Sequence, residues 1–209
     1  MKSKPAFLWP WIKALNVIVQ NEPYEPVFGQ ELPVQVSPWL WISDEASIDE
    51  KMSSFPNLGI THVLLTNVME PGEVEYFRSE LEHFGINHHY VGGHDEEGYD
   101  MIENHWDECR NFLQHVYDSE GKVVVHCVGG RNRSGLIACA ALMVFERITV
   151  LDVVKLVKRK RFTLLTNLSF QWQLCLLAAR EGLLGPKPEG FSEDPPPSRR
   201  PPVGFSENL

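Results

Sequence analysis

The stretch VVVHCVGGRNRSGLIACAAL, residues 123–142, sets one thiol, Cys127, between a β-branched run and an apolar run of helical type. A cysteine attacks only as the thiolate, and an ordinary thiol with a pKa near ~8.5 supplies little of that form at neutral pH. A strand ending at Cys127 and a helix opening at Ser134 would surround the sulfur with backbone N–H donors and the positive end of a helix dipole. The same arrangement cradles a phosphate. Gly129 and Gly130 permit the tight turn and close approach that such a loop needs, and Arg133 offers a planar fork to two anionic oxygens. The pattern therefore predicts a nucleophile facing an anion that Val128, Gly129, Gly130, Arg131, Asn132 and Arg133 hold.

The surrounding chain alternates between strand and helix signals. Residues 35–43 read as one strand, 45–55 as a short helix stopped near Pro56, 61–68 as a buried strand and 71–85 as a helix ended by Gly85. Residues 86–91 read as a further strand, followed by the polar loop GGHDEEGYDM, in which Gly92, Gly93 and Gly98 are candidate hinges. In 104–118, Trp106, Cys109, Phe112, Leu113 and Val116 share one helical face, so Cys109 reads as a core residue. Lys122 to Val125 is a buried strand, Ser134 to Arg147 a helix containing Cys139 in its apolar body, and Leu174 to Leu184 a closing helix. Thr149 and Asp152 suggest a capping box for the helix TVLDVVKLVKRKR. This alternation predicts an α/β domain of three layers, with helices on both faces of a mainly parallel sheet.

The 209 residues suffice for one well-buried domain with terminal extensions. A net charge of −9 argues against a surface built for nucleic acid, and no nucleic-acid partner is expected. Four cysteines without CxxC or zinc spacing point to a reducing compartment, the cytoplasm and also the nucleus. The apolar run around Trp9, Trp11, Ile12 and Leu15 is too short to span a bilayer, so no transmembrane segment is expected. It reads as packing on the domain or a partner, with a membrane-surface contact as the alternative. The cations from Lys155 to Arg161 read as a solvated helix end, or as a docking site for an anionic partner. From Pro186 the composition is that of a disordered tail, in which Pro195 to Pro202 favours polyproline II.

His-Cys, five residues, then Arg-Ser, bounded by strand and helix, resembles the signature of the cysteine-dependent protein tyrosine phosphatase superfamily, specifically a small, atypical member of its dual-specificity branch. The segment RFTLLTNLSFQWQL resembles that branch's closing motif through Arg161, Asn167, Phe170, Gln173 and Leu174, while Phe162 and Thr166 replace the usual prolines. The resemblance covers residues 28–185, which places an extension at 1–27 and a tail at 186–209. It implies hydrolysis of phosphotyrosine and phosphoserine or phosphothreonine on proteins through a phosphocysteine at Cys127, with neither metal nor cofactor. Asp95, Glu96, Glu97 and Asp100 are candidates for the acid that protonates the leaving oxygen, and D-x-x-x-x-D-M resembles the family pattern that selects Asp95. The resemblance further gives Ser134 the role of assisting the sulfur as it leaves, and His126 a structural role as a hydrogen-bonding residue that shapes the loop. Arg131 and Asn132 depart from the usual loop, in which Ser is more common before the arginine. Alternatives are a phosphoinositide or phospholipid phosphatase, an RNA 5′-phosphatase, and a non-catalytic phosphate-binding module.

Overall fold

The computed structural model describes residues 5–21 and 30–195. Five strands, β1 (Val34–Ser37), β2 (Leu40–Asp44), β3 (His62–Leu65), β4 (Asn87–Tyr90) and β5 (Val123–Cys127), form one sheet in the order β1-β2-β5-β3-β4. Only the β1–β2 pair is antiparallel. The span 35–43 is thus a hairpin and not one strand. Pro38 has no N–H for a ladder and fixes its own φ, so the chain turns there.

Alternate residues of each central strand serve two cores. Leu40, Ile42, Leu64, Val123 and Val125 face a large cluster, while Trp41, Val63, Leu65 and Val124 face a smaller one. The smaller cluster is covered by α2 (Glu45–Lys51), a 3-10 stretch Met52–Leu58 and α3 (Pro71–His83). The larger one takes α1 (Trp9–Gln20), α4 (Met101–Asp118), α5 (Arg133–Phe145), α6 (Val150–Lys158) and α7 (Leu168–Arg180). Three layers with a mainly parallel sheet result, as the alternation in sequence predicts.

Several element ends differ from expectation for physical reasons. α4 begins three residues before the expected 104, because the Gln173 side chain of α7 accepts from the Ile102 N–H at 3.0 Å, a cap supplied from far along the chain. α7 starts at Leu168, where the Asn167 side chain accepts from Ser169 N–H at 2.9 Å. Thr149 does not close a capping box: its hydroxyl donates to the Asp152 carboxylate at 2.7 Å. α6 stops at Lys158, which leaves Arg159, Lys160 and Arg161 beyond it.

The N-terminal apolar run forms α1 and packs on α6 and α7, with Trp11, Ile12 and Leu15 buried and the Trp9 and Trp172 rings 5.5 Å apart. Trp11, Ile12 and Leu15 are therefore covered by the protein itself, while Phe7 and Val17 of the same segment are exposed. No helix among the described residues is long and apolar enough to cross a membrane. Within residues 186–195, expected as part of a disordered tail, Ser192 meets α1, its Oγ accepting from Lys13 Nζ at 2.9 Å. The boundary at 27/28 and the polyproline stretch after Pro195 lie outside the described residues.

Candidate active site

β2, β5 and β3 are parallel and in register, with Asp44 beside Cys127 and Leu65 beside His126, so their carboxyl ends open on one edge of the sheet. At that edge the chain leaves β5 at Cys127 and enters α5 at Arg133. The intervening loop is fixed from outside through its carbonyls. Val128 O accepts from Glu45 N–H at 3.3 Å, and Arg131 O from Leu165 N–H at 3.1 Å. Gly129 O and Gly130 O accept from Arg161 Nη2 and Nε at 3.1 and 2.8 Å. Gly130 has φ +58°, and a Cβ on it would stand 2.7 Å from Ser43 O, so glycine is required there by both backbone and space.

Cys127 Sγ lies 3.2 Å from Ser134 Oγ at the first turn of α5. Arg133 is buried and donates through Nη1 to Gly93 O at 3.1 Å, while its Nε has no partner among the described residues. An orphaned guanidinium donor of this kind suits an anion. The side chain of Arg131 is exposed, and Asn132 turns away from the loop, bonding Asp95, Thr166 and Asn167. Arg131 and Asn132 are therefore held to the loop mainly by their backbone.

Of the four candidate acids, Asp95 is the one tied to the loop: its Oδ2 accepts from Asn132 Nδ2 at 3.1 Å and its Oδ1 from Asn167 Nδ2 at 3.0 Å. Glu96 pairs with His94 at 3.8 Å, and Asp100 stands at the start of α4. Gly93 is not a free hinge. A Cβ there would collide with Met101 Sδ and lie 2.9 Å from Thr66 O, and its carbonyl anchors both Val68 N–H and Arg133.

His126 is fully buried beside Phe77, and neither ring nitrogen has a hydrogen-bond partner among the described residues. The hydrogen bonds expected of its side chain are made by its carbonyl, which accepts from Thr66 N–H at 3.0 Å and Thr66 Oγ1 at 2.6 Å. Burial pushes its pKa down to about 3, with the Arg133 charge adding to the effect, so the imidazole is neutral. Burial also drives the Cys109 thiol up to about 12 and the Cys139 and Cys175 thiols higher still, which marks all three as inert core thiols.

Arg161 is the residue that reading by sequence misplaced. The expected solvated helix end is here a buried guanidinium, its pKa lowered chiefly by burial and next by Arg131, and it clamps the loop while Nη1 donates to Gln30 Oε1 at 2.9 Å. Its place at the head of RFTLLTN was the available signal. Lys155 pairs with Asp152 at 3.3 Å and Lys158 Nζ donates to Phe162 O, so the stretch Lys155–Arg161 is not a single free cationic face.

Loop, thiol and fork define a class of protein, and comparison with known proteins agrees. The chain belongs to the family described as dual specificity phosphatase, catalytic domain, which matches residues 40–180. It is 28% identical over 157 residues to dual specificity protein phosphatase 2 of Mus musculus, covering 75% of this chain and 46% of that protein. It is 31% identical over 148 residues to dual specificity protein phosphatase 26 of Bos taurus, covering 70% of this chain and 67% of that protein. The chain thus spans less than half the length of the mouse relative. Among solved structures, human DUSP28 superposes with a TM-score of 0.61 at 20% identity, covering 72% of this chain and 96% of that one, a likeness of fold.

Proposed function

We propose that this chain is a cysteine-dependent dual-specificity phosphatase, hydrolysing phosphotyrosine and phosphoserine or phosphothreonine monoesters on proteins through a phosphocysteine intermediate. The observation that carries the reading is the orientation of the loop's peptides. In a trans peptide the C=O and N–H groups point to opposite sides. The carbonyls of Val128, Gly129, Gly130 and Arg131 are each taken by a donor outside the loop. The amides of Gly129, Gly130, Arg131 and Asn132 are consequently turned the other way, as a nest for phosphoryl oxygens.

Cys127 Sγ attacks phosphorus, the S–P bond forming as the P–O bond to the substrate breaks. Arg133 binds the phosphoryl oxygens through donors that include its orphaned Nε. Asp95 gives its proton to the departing oxygen, then as carboxylate takes a proton from the water that attacks the phosphocysteine. The S–P bond breaks and phosphate leaves, while Ser134 Oγ, 3.2 Å from the sulfur, donates to the re-forming thiolate. The scheme balances without metal or cofactor. An open cleft of about 530 Å³ bordered by Glu45, Asp49, Tyr76 and Val128 adjoins the loop, which leaves room for the polypeptide around a phosphorylated side chain. The catalytic unit is residues 28–185, between an extension at 1–27 and a tail at 186–209, and four free thiols suit the reducing cytoplasm or nucleus.

The test is phosphate release by the purified chain and its Cys127→Ser variant, without added metal, on phosphotyrosine and phosphothreonine peptides, phosphoinositides and 5′-triphosphorylated RNA. Cysteine-dependent turnover highest on the phosphopeptides is the expected result. Binding of phosphopeptides without turnover on any panel overturns it in favour of a phosphate-binding module.

A further inference from the structure

Two departures from the usual dual-specificity pattern, Asn132 before Arg133 and Thr166 in place of a proline, meet in one hydrogen bond: Thr166 Oγ1 donates to Asn132 Oδ1 at 3.1 Å. The same Oδ1 accepts from the Asn167 backbone N–H, also at 3.1 Å. A backbone N–H can only donate, so these contacts fix which end of the Asn132 amide faces which way. The Nδ2 end is thereby aimed at Asp95, and it donates to Oδ2 at 3.1 Å while Asn167 Nδ2 donates to Oδ1 at 3.0 Å. Serine at 132 would supply one hydroxyl where this bridge requires an acceptor and a donor on opposite ends. Proline at 166 would supply no hydroxyl at all.

We propose that Asn132 and Thr166 act together as a positioning pair that sets the Asp95 carboxyl over the signature loop for proton transfer to the leaving group. The proposal rests on the function assigned above and adds two side chains that act through Asp95 and do not themselves meet the phosphoryl group. Asp95 and Thr166 are exposed while Leu164 and Leu165 beside Thr166 are buried, so the acid side chain itself is held by polar contacts to a segment that the core anchors. Arg133 and Gln173 hold the backbone of the acid-bearing loop at Gly93 O and Tyr99 O, and the amide bridge holds the Asp95 side chain itself to both the signature loop and the start of α7. The bridge is also chemically matched to its task. The donors are uncharged amides, so they orient the carboxyl without setting a full positive charge beside it, as a lysine or arginine would.

Proton transfer matters most when the leaving oxygen is basic. Nitrophenolate departs with little help, while the phenolate of phenyl phosphate or phosphotyrosine requires a proton in the transition state. The experiment therefore measures kcat/KM, which reports the step that expels the leaving group, across a series of aryl phosphates of rising leaving-group basicity for the wild type, Asp95→Asn, Thr166→Val, Thr166→Ser, Asn132→Ala and the Asn132→Ala/Thr166→Val double variant. The expected result is a loss of roughly 10-fold on phenyl phosphate for Thr166→Val and for Asn132→Ala, clearly larger than the loss on nitrophenyl phosphate, in the direction of Asp95→Asn. Thr166→Ser, which keeps the hydroxyl, restores the wild-type dependence, and the double variant loses less than the product of the single losses. Thr166 is exposed, so Thr166→Val decides the matter even where an Asn132 variant fails to fold. Cys127-dependent turnover with a steepened profile for Asp95→Asn but wild-type profiles for Thr166→Val and Asn132→Ala overturns the pair and leaves the phosphatase standing. No Cys127-dependent turnover in the wild type overturns both.

Discussion

Arg161 Nε donates to the carbonyl of Gly130 at 2.8 Å, and Nη2 of the same guanidinium reaches Gly129 at 3.1 Å, across more than thirty residues of chain. One planar fork thereby orients two consecutive peptides of the signature loop, which a lysine cannot do. Arg161→Lys is expected to lower kcat/KM on phosphopeptides by roughly 10- to 100-fold, as small misplacements of binding groups do. The accompanying loss of stability is about 1–3 kcal/mol, because a buried carbonyl is left without its donor. Steady-state kinetics beside urea denaturation check this; wild-type kcat/KM in the lysine variant would contradict the clamp.

The two loop glycines differ in what they tolerate. Gly130 combines φ +58° with a Cβ position 2.7 Å from the Ser43 carbonyl, whereas a Cβ on Gly129 meets only the flexible Arg131 side chain at 3.7 Å. Gly130→Ala is expected to cost about 1–3 kcal/mol in backbone strain. It also displaces the amides that bind the phosphoryl group, for a loss of roughly 100-fold or more in kcat. Gly129→Ala should unfold within about 0.5 kcal/mol of the wild type. Equal denaturation midpoints for the two variants would remove the distinction.

Burial sets a pH limit on the fold. His126 protonates near 6.5 in the unfolded chain and only at about 3 when folded, so between these values the unfolded state binds the extra proton. Stability is complete above pH 6.5 as far as His126 is concerned and falls as pH drops toward 3. His62, His88 and His105 are lowered in the same direction, each chiefly by burial. The unfolding free energy is expected to decline between about pH 7 and pH 5, with a slope of at most about 1.4 kcal/mol per pH unit for each such histidine. A flat or rising profile over that range would show that these side chains are not buried as neutral groups.

α1 precedes the residues matched by the family, yet Leu15 is fully buried in the same core as α5 to α7. Leu15→Ala is expected to destabilise by about 2–5 kcal/mol. Val17 on the same helix is 46% exposed, and its replacement by Ala should shift stability by no more than about 0.5 kcal/mol. Urea midpoints decide between them; similar small effects at both positions would mean that α1 is not part of the core.

What could be read from sequence was whatever the chain encodes locally. The strand, loop and helix around Cys127 lie within twenty residues, and their strand and helix signals, glycines and arginines announce the turn between them. The three-layer architecture was legible for the same reason, since strand and helix signals alternate in order. What was hidden depends on partners far along the chain. Arg161 looked like the end of a cationic helix because its acceptors are two carbonyls of another loop. The position of Asn132 next to Arg133 placed it in the loop, but nothing local announced that its side chain is captured by Thr166 and Asn167. The early start of α4 depends on Gln173, and no pattern between residues 95 and 105 encodes it.

The central claim is that phosphate passes through a bond to Cys127 Sγ. Mixing the enzyme with a phosphotyrosine peptide, quenching with acid within the first turnover and mapping the modified residue by mass spectrometry tests it most directly. A phosphate on Cys127 that forms and decays at rates consistent with turnover, and that is lost in Cys127→Ser together with activity, is the predicted result. Turnover without a phosphoenzyme at Cys127, or undiminished in the serine variant, would contradict the mechanism.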